Sequence, residues 1–275
     1  MKRWPAVIGQ PNFSTCQDPT APSDAVVKLP SGLAVDPASG RLFVADYGFN
    51  RVLIFDANAL DAGMRAVRVL GQSNMTDEFF DSGVAGLNGP TGLAYNGPSE
   101  LFVADQANNR VLRFNVSSTQ TINGPPAVSV FGQTDFDGKA AGLSASRLNG
   151  PEGLAYSPEK QLLFVADWGN HRVVAFDTNN PDAGADAVAV LGQSDFVSRD
   201  AGIGSMYLPT GLALEPDGGG RLFVADNGNH RVLIFNTDVV DSGEAPVAVL
   251  GQPGFTSSIS GTSATALSKP TGVAL

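Results

Sequence analysis

The sequence predicts an all-β fold in which one four-stranded antiparallel sheet is repeated along the chain. A block Leu-Phe-Val-Ala-Asp recurs at intervals of 59 to 62 residues, and an Arg-Val pair begins five residues after each Asp. A fixed period of this length indicates an array of one supersecondary unit. No segment has a helical apolar period long enough to compete. The four copies of the block lie at Leu42–Asp46, Leu101–Asp105, Leu163–Asp167 and Leu222–Asp226.

Each unit divides into four short apolar stretches separated by clusters of Gly, Pro, Asn and Asp, which is typical of strands joined by turns. In the first full unit the predicted strands are Gly32–Val35, Arg41–Ala45, Arg51–Phe55 and Ala66–Leu70. Later units keep this order, with a proline before the first strand and Gly-Gln after the fourth. Such sheets are the blades of a β-propeller, which pack face to face and leave only short outer edges. A parallel β-helix or a sandwich fits this period less well.

We expect one propeller domain over residues 1–275, with four complete repeats and partial strands at both ends. Residues 1–28 are interpreted as the fourth strand of a partial blade, at Ala6–Gln10, followed by a linker, and residues 267–275 as the first strand of a partial blade. Because a blade made from these two pieces lacks its second and third strands, we expect a segment of a longer propeller or closure by another chain. The repeats cover about 29–86, 87–147, 148–207 and 208–266.

Charge and cysteine content restrict the classes of partner. The chain has 17 Lys and Arg against 27 Asp and Glu, and the net charge of −10 opposes nonspecific attraction to nucleic acid backbones. Cys16 is the single cysteine, so an internal disulfide or a cysteine-based metal motif is excluded. No membrane span is visible, and no apolar run of a secretory signal follows the basic start. Nucleic acid is therefore not an expected partner.

Two segments resemble a known family. Val165–Val173 and Val224–Val232, which contain Asp-Trp-Gly-Asn-His-Arg and Asp-Asn-Gly-Asn-His-Arg, are similar to the NHL repeat, named for its Asn-His-Leu signature. Units that end in Val-Leu-Gly-Gln also resemble a longer bacterial subtype of this repeat. The resemblance implies a propeller with mostly ligand- or protein-binding roles, and amidating lyases and other enzymes as a minority. It also implies an extracellular or cell-envelope location.

A charged pair recurs in every unit, where Asp ends the second strand and Arg begins the third. A four-residue hairpin between them places the two side chains opposite one another as an ion pair. We favour this structural role over metal ligation or general-base chemistry, because chemistry needs one asymmetric constellation. Gly48, Gly169 and Gly228 are expected to give the turn its positive φ, with Asn108 in that role beside Ala107. The repeated pairs are Asp46 and Arg51, Asp105 and Arg110, Asp167 and Arg172, and Asp226 and Arg231.

The sequence predicts no cofactor, and it leaves calcium and transition metals open. His171 and His230 are the only histidines, so a three-histidine zinc site of the amidating-lyase kind cannot form, whereas a mixed histidine and carboxylate site remains open. The pattern Asp56, Asp61 and Gly63 after the third strand recurs in later units. It lacks the full calcium-loop pattern, and Asx residues with Gly are themselves turn formers. No catalytic residue is assigned.

The side chains that differ between units are the best candidates for a binding site. In an up-and-down blade, the hairpin between the second and third strands lies on the same side as the link after the fourth strand, and we call this side the loop face. Tyr and Trp on it are able to stack on a sugar or anchor a protein, and an acidic pair beside two Phe suits a basic apolar patch. The alternative is that these are ordinary loop residues. The candidate ligand-binding residues are Tyr47, Trp168, Asp77, Glu78, Phe79 and Phe80.

These observations favour a noncatalytic binding or scaffold module that uses the loop face. Its partner is expected to be a protein or a carbohydrate. A metal-assisted lyase or hydrolase acting at the central channel is one alternative. An architectural segment of a larger surface protein, self-associating through incomplete blade edges, is the other. The hydrophobic residues three positions after each Gln are interpreted as plugs between blades: Phe13, Met75, Phe136, Phe196 and Phe255.

Overall fold

The computed structural model describes residues 7–15, 18–59, 63–97, 99–179, 184–202, 204–216 and 220–275. The all-β prediction is confirmed, because the strands form four separate four-stranded antiparallel sheets in which neighbours follow chain order. The described residues contain short 3-10 turns and no α-helix. Such sheets agree with the predicted blades.

The strands β1 to β16 have similar lengths in every sheet. The first sheet contains β1 Pro30–Asp36, β2 Arg41–Asp46, β3 Arg51–Asp56 and β4 Arg68–Leu70. The second contains β5 Pro90–Asn96, β6 Glu100–Asp105, β7 Arg110–Asn115 and β8 Ala127–Phe131. The third contains β9 Pro151–Ser157, β10 Leu162–Asp167, β11 Arg172–Asp177 and β12 Ala189–Leu191. The fourth contains β13 Pro209–Leu214, β14 Arg221–Asp226, β15 Arg231–Asn236 and β16 Ala248–Leu250.

The hairpin between the second and third strands has the same register in the first, third and fourth sheets. Asp46 pairs with Arg51, Asp167 with Arg172 and Asp226 with Arg231. The first strand of each sheet begins at a proline and is irregular over its next residues, as between Pro30 and Leu33. Proline at a strand start leaves no ladder hydrogen bond unmade.

The chain forms two compact units, which consist of residues 1–108 with 112–128, and 109–111 with 129–275. In the first unit β1 packs against β5. A hydrophobic core on the first sheet includes Val44, Leu53 and Phe55. In the second unit β9 packs against β13, and the core includes Phe164, Leu212 and Phe235. Within each unit, apolar faces of successive sheets are buried against one another, which is the main stabilising contribution.

The predicted partial strands differ from the repeats. Within the described part of Ala6–Gln10, Ile8 makes one parallel bridge to Met64 and no strand forms; Ala6 lies outside the described residues. Residues 267–275 contain no strand. Both segments lack the second and third strands that would provide a ladder of backbone hydrogen bonds, and so neither forms a sheet.

Candidate functional site

Each hairpin contains a fully buried carboxylate and a fully buried guanidinium. Arg51 Nε donates to Asp46 Oδ2 at 2.7 Å, and Arg172 Nε donates to Asp167 Oδ2 at 2.8 Å. The Asp46 Oδ1 atom accepts the backbone N–H of Lys28 at 2.7 Å. The carboxylate therefore connects the hairpin to the chain that leads into the same sheet.

The guanidinium connects the hairpin to both neighbouring links. Arg51 donates through Nη1 to the Met75 carbonyl at 2.7 Å, and through Nη2 to the carbonyls of Ser23 and Val26 at 3.0 and 2.9 Å. Arg110, also buried, donates to the Phe136 carbonyl. The bonds of Arg51 use four of its five N–H donors, and they order the loop face through backbone atoms.

Burial raises the pKa of Asp46, Asp167 and Asp226 above the ordinary value for aspartate, against the opposing effect of the hydrogen bonds and the arginine charge. The same environment recurs in separate sheets. A repeated, solvent-excluded carboxylate of this kind has a scaffold role, because water or substrate does not reach it.

The prediction that Gly48, Gly169 and Gly228 supply a positive φ is wrong. These glycines lie in 3-10 turns without positive φ, and the left-handed residue is the one after the turn. In the first repeat that residue is Asn50, with φ 53°. In the second repeat it is Asn109, and not Asn108 as predicted. Glycine is needed for a close approach instead, because a Cβ on Gly48 would lie 2.8 Å from the Lys28 carbonyl oxygen.

The left-handed residue makes a contact with the next repeat. Asn50 Oδ1 accepts the backbone N–H of Gly89 at 2.9 Å. In later repeats, His171 Nδ1 accepts the N–H of Leu208 at 3.3 Å and His230 Nδ1 accepts that of Lys269 at 3.0 Å. Histidine thus replaces asparagine as a hydrogen-bond acceptor, which is a structural role for both histidines.

The glutamine after each fourth strand fixes the shape of the following link. Gln72 Nε2 donates to the carbonyls of Asn50 at 3.0 Å and Phe79 at 2.6 Å. The seventh residue after Gln in each link is therefore held by its backbone carbonyl, whatever its side chain. These residues are Phe79, Ala140, Asp200 and Ile259. We missed this role although Gly-Gln recurs in every unit.

In the first unit, hydrogen bonds join the hairpin that contains Tyr47 to the loop that contains four of the other five candidate residues. Asn50 Nδ2, which follows the Tyr47 turn, donates to the Glu78 carbonyl at 3.2 Å. Phe79 and Phe80 are each 74% exposed, and Tyr47 is 38% exposed. We call Tyr47, Asp77, Glu78, Phe79 and Phe80 the aromatic patch.

Its acidic members also have local roles. Asp77 Oδ2 accepts hydrogen bonds from Ser73 Oγ at 2.6 Å and Asn74 Nδ2 at 2.7 Å, which order the start of the loop. The adjacent Phe79 and Phe80 side chains in this loop are both exposed. Large exposed apolar side chains rimmed by polar groups are typical of a contact surface.

Trp168, the sixth candidate, lies in the second unit. Its side chain is 39% exposed and its ring lies near Gly150, where an added Cβ would be 3.5 Å from the ring. The ring thus covers the backbone that leads into its own sheet. The predicted plugs are only partly buried: Phe13 and Phe255 are 58% and 42% exposed. The Met75 side chain packs against the core of the first sheet. Four of the five predicted plugs also accept a hydrogen bond from a buried arginine through the backbone carbonyl: Met75, Phe136, Phe196 and Phe255.

No group of three His, Cys, Asp or Glu side chains suited to a metal occurs among the residues described. Asp61 and Asp182, from the repeated Asx pattern, lie outside the described residues. Asp56 Oδ1 accepts the N–H of Asn58 at 3.0 Å in an Asx turn. Across the described ranges, no helix has the length and apolar character needed to cross a bilayer.

Comparison with known proteins agrees with this geometry. The NHL repeat matches residues 28–55, 148–176 and 206–235, each of which contains a hairpin with the buried Asp and Arg. These segments are NHL repeats. The predicted recognition is thereby confirmed, and the bacterial subtype stays a prediction. The NHL segments begin just before the first strand of a sheet and end in the third.

Several known proteins are similar to this chain over part of their length. Protein SUPPRESSOR OF QUENCHING 1, chloroplastic, from Arabidopsis thaliana is 27% identical over 150 residues, which are 54% of this chain and 13% of the relative. NHL repeat-containing protein 2 from Bos taurus is 29% identical over 171 residues, 59% of this chain and 23% of the relative. The Homo sapiens protein of that name is 27% identical over 161 residues, 56% and 22%. The chain thus spans less than a quarter of the length of these relatives.

Proposed function

We propose that this NHL-repeat chain is a noncatalytic recognition module that binds a basic, apolar protein segment through the aromatic patch. The observation that carries the proposal is that the backbone of the loop is fixed while its side chains vary. Gln72 and Asn50 hold the carbonyls of Phe79 and Glu78, so Phe79 and Phe80 are presented to solvent on an ordered backbone. An ordered loop loses less conformational entropy on binding.

The chemistry of the patch supports a protein segment as ligand. Two exposed phenyl rings and the Tyr47 ring offer apolar area, and aromatic anchors often contribute most of the binding free energy of an interface. Asp77 and Glu78 add negative charge beside the rings, and the chain as a whole has a net charge of −10. Lys or Arg among apolar residues would complement both features.

A peptide library displayed on phage and selected on the wild-type protein tests this proposal. We expect enriched peptides that combine basic and apolar residues. The variant Phe79→Ser/Phe80→Ser should bind the selected peptides at least about tenfold more weakly, the loss of roughly one anchor. Its thermal unfolding should be unchanged, because both side chains are 74% exposed.

The matched control is Ile259→Ser, which changes the residue at the Phe79 position in the fourth repeat, where the side chain is 77% exposed. This variant should bind the selected peptides like the wild type. Equal loss in both variants, or peptides that bind the double variant normally, would reject the aromatic patch. Binding to a glycan array in place of peptides would assign the patch to carbohydrate.

A further inference from the structure

The segment that leads into the last strand of each sheet is held by the same backbone hydrogen bond in the first three repeats. The N–H of an alanine donates to a carbonyl of the link that precedes the sheet. The three bonds join Ala66 to Asp24, Ala127 to Val84 and Ala187 to Ala145, at 2.7, 2.8 and 2.9 Å. In the fourth repeat this position is Pro246, which has no N–H to donate.

The link that precedes the fourth sheet is also short. Pro209 follows Gln193 by 16 residues, whereas the spacing is 18 residues in the links that begin at Gln72, Gln133 and Gln252. Less chain is therefore available to cover this side of the sheet. Between the link and β15 lies a cavity of about 550 Å³, which is within the range of about 300–1,000 Å³ typical of small-molecule sites. The residues that line it belong to the second unit.

The first repeat shows which side chains fill this space when no cavity forms. There, Met64 and Ala66 are buried in one hydrophobic core with Leu53 and Phe55. The residues at these four positions in the fourth repeat all line the cavity, and they are Glu244, Pro246, Leu233 and Phe235. Leu233 and Phe235 belong to the core of the second unit. A carboxylate thus replaces the buried methionine beside an apolar wall.

The Glu244 side chain lies on the inner side of its segment. Ala245 and Val247 are exposed, whereas Glu244 and Pro246 are partly buried, which is the alternation of an extended chain. Gly243 fixes the start of this segment, because its N–H donates to the Val190 carbonyl at 3.0 Å. The Glu244 carboxylate makes no hydrogen bond or ion pair to any residue that the structure describes.

The Arg231 guanidinium, also in the cavity wall, is already paired with another carboxylate. Its Nε donates to Asp226 Oδ2 at 2.6 Å, and its Nη2 donates to the Ser205 carbonyl at 2.9 Å. Asp200, the third charged residue of the lining, adds negative charge. The cavity therefore combines an apolar wall with an excess of negative charge, which complements a cation on an apolar body.

We propose that this cavity binds a small apolar molecule that carries one protonated amino group. The ammonium group donates to the Glu244 carboxylate, and the apolar body packs against the wall. Charge-assisted hydrogen bonds of this kind are about twice as strong as neutral ones. We call Met206, Leu233, Phe235, Glu244 and Phe255 the amine site. The aromatic patch belongs to the other unit, so the two proposals are independent.

Titration with phenethylamine, followed by NMR of protein labelled with carbon-13 at the methionine methyl groups, tests the proposal. Met206 lines the cavity, whereas Met64 and Met75 of the first repeat serve as internal controls. Of these three, only the Met206 signal should shift, with a Kd in roughly the millimolar range for so small a ligand. Phenethyl alcohol, which has no charge, should bind at least about tenfold more weakly.

Substitutions at Glu244 separate the charge from the shape of the cavity. Glu244→Gln should weaken phenethylamine at least about tenfold and leave the affinity for phenethyl alcohol unchanged. Glu244→Met, which introduces the residue of the first repeat, should abolish the binding of both and raise the melting temperature, because an apolar side chain fills the cavity.

Asp238→Asn is the matched control, because it removes one negative charge from an exposed position of the same loop, outside the lining. It should bind phenethylamine like the wild type. The variant Phe79→Ser/Phe80→Ser should also bind the amine normally, which distinguishes the amine site from the aromatic patch.

An unchanged Met206 signal at about 20 mM phenethylamine would overturn the proposal. Equal affinities for the amine and the alcohol would do so too, as would equal affinities of Glu244→Gln and the wild type for the amine. Similar shifts of all three methionine signals would show nonspecific binding and would likewise refute it.

Discussion

At the residue scale, one side-chain position shows how different residues fill the same role. Asn50 and Asn109 accept a backbone N–H from the next repeat, and His171 and His230 do the same through Nδ1. A histidine can accept at Nδ1 only when that nitrogen is unprotonated. The later repeats therefore contain a titratable group at a position where the earlier ones do not.

His171 should make the stability of its repeat depend on pH. Burial, together with the positive charge of Arg199, lowers the pKa of His171 below its ordinary value. The folded state then binds fewer protons than the unfolded state, so this contribution to stability is complete above about pH 6.5 and decreases as pH falls through the lowered pKa. We expect His171→Asn to show a smaller decrease in melting temperature between pH 8 and pH 5 than the wild type, as measured by circular dichroism.

The asparagine variant also serves as its own control at pH 8. Its carboxamide oxygen can accept the Leu208 N–H as Asn50 accepts that of Gly89, so the two proteins should melt within a few degrees of one another there. An unchanged pH dependence in the variant would show that the titration of His171 has no part in stability.

The glycines of the hairpin turns occupy a constrained position, as the sequence predicts, but the predicted reason for the constraint is wrong. The recurrence of Gly48, Gly169 and Gly228 marked a constrained position, and the favoured explanation was a positive φ. The structure instead has Gly48 N–H donating to the Lys28 carbonyl at 2.8 Å, whereas Ala107 N–H makes the equivalent bond to Asn88 at 3.1 Å. Turn chemistry is local and readable, but a close approach by a chain segment about 20 residues earlier is not.

At the element scale, the hairpin depends on the buried Asp and Arg more than on the turn residues. Arg172 donates to Asp167 and to the carbonyls of Phe196, Ser144 and Arg147, and its side chain has no exposure. Removal of the guanidinium would leave the buried Asp167 carboxylate and three backbone carbonyls without this donor. Each such loss is destabilising in a solvent-excluded site.

We therefore expect Arg172→Met to lower the free energy of unfolding by about 3–5 kcal/mol, the range for breaking a buried ion pair. Urea unfolding followed by the fluorescence of Trp168, which is in the same hairpin, measures this change. Arg65→Met is the control, since Arg65 pairs with Asp24 but its side chain is 71% exposed. That control should lie within about 0.5 kcal/mol of the wild type. Similar effects of the two substitutions would contradict the role assigned to burial.

The strands themselves were predictable. Alternation of apolar stretches and turn residues gave Arg41–Ala45 and Arg51–Phe55, and the observed strands are Arg41–Asp46 and Arg51–Asp56. The fourth strand is shorter than predicted, since it begins at Arg68 and not Ala66. The polar contacts between links, such as those of Gln72, could not be predicted, because they join residues through backbone carbonyls that no side-chain pattern identifies.

At the scale of the whole molecule, the charge distribution bears on the class of ligand. The excess of Asp and Glu over Lys and Arg gives a net charge of −10. The hairpin arginines Arg51, Arg172 and Arg231 are buried in ion pairs. An extended basic surface is the usual basis of nucleic acid binding. The protein segment proposed as ligand is basic, so its charge is opposite to that of this chain and of nucleic acid.

We expect the protein to pass through a heparin column without retention at low salt and to show no shift of a labelled single-stranded RNA at about 150 mM salt. An anion-exchange column should retain it under the same conditions, which controls for a misfolded or aggregated sample. Retention on heparin that is reversed by salt would indicate a basic surface and would revive a nucleic acid partner.

The Gln72 hydrogen bonds and their three counterparts have a consequence for how such a chain can change. Because the amide nitrogen of each glutamine donates to a main-chain carbonyl oxygen, the side chains at positions 79, 140, 200 and 259 can be exchanged without loss of this hydrogen bond. New specificity can then arise by point mutation with no accompanying loss of folding stability, and an engineer could diversify these four sites together as a ready-made binding library.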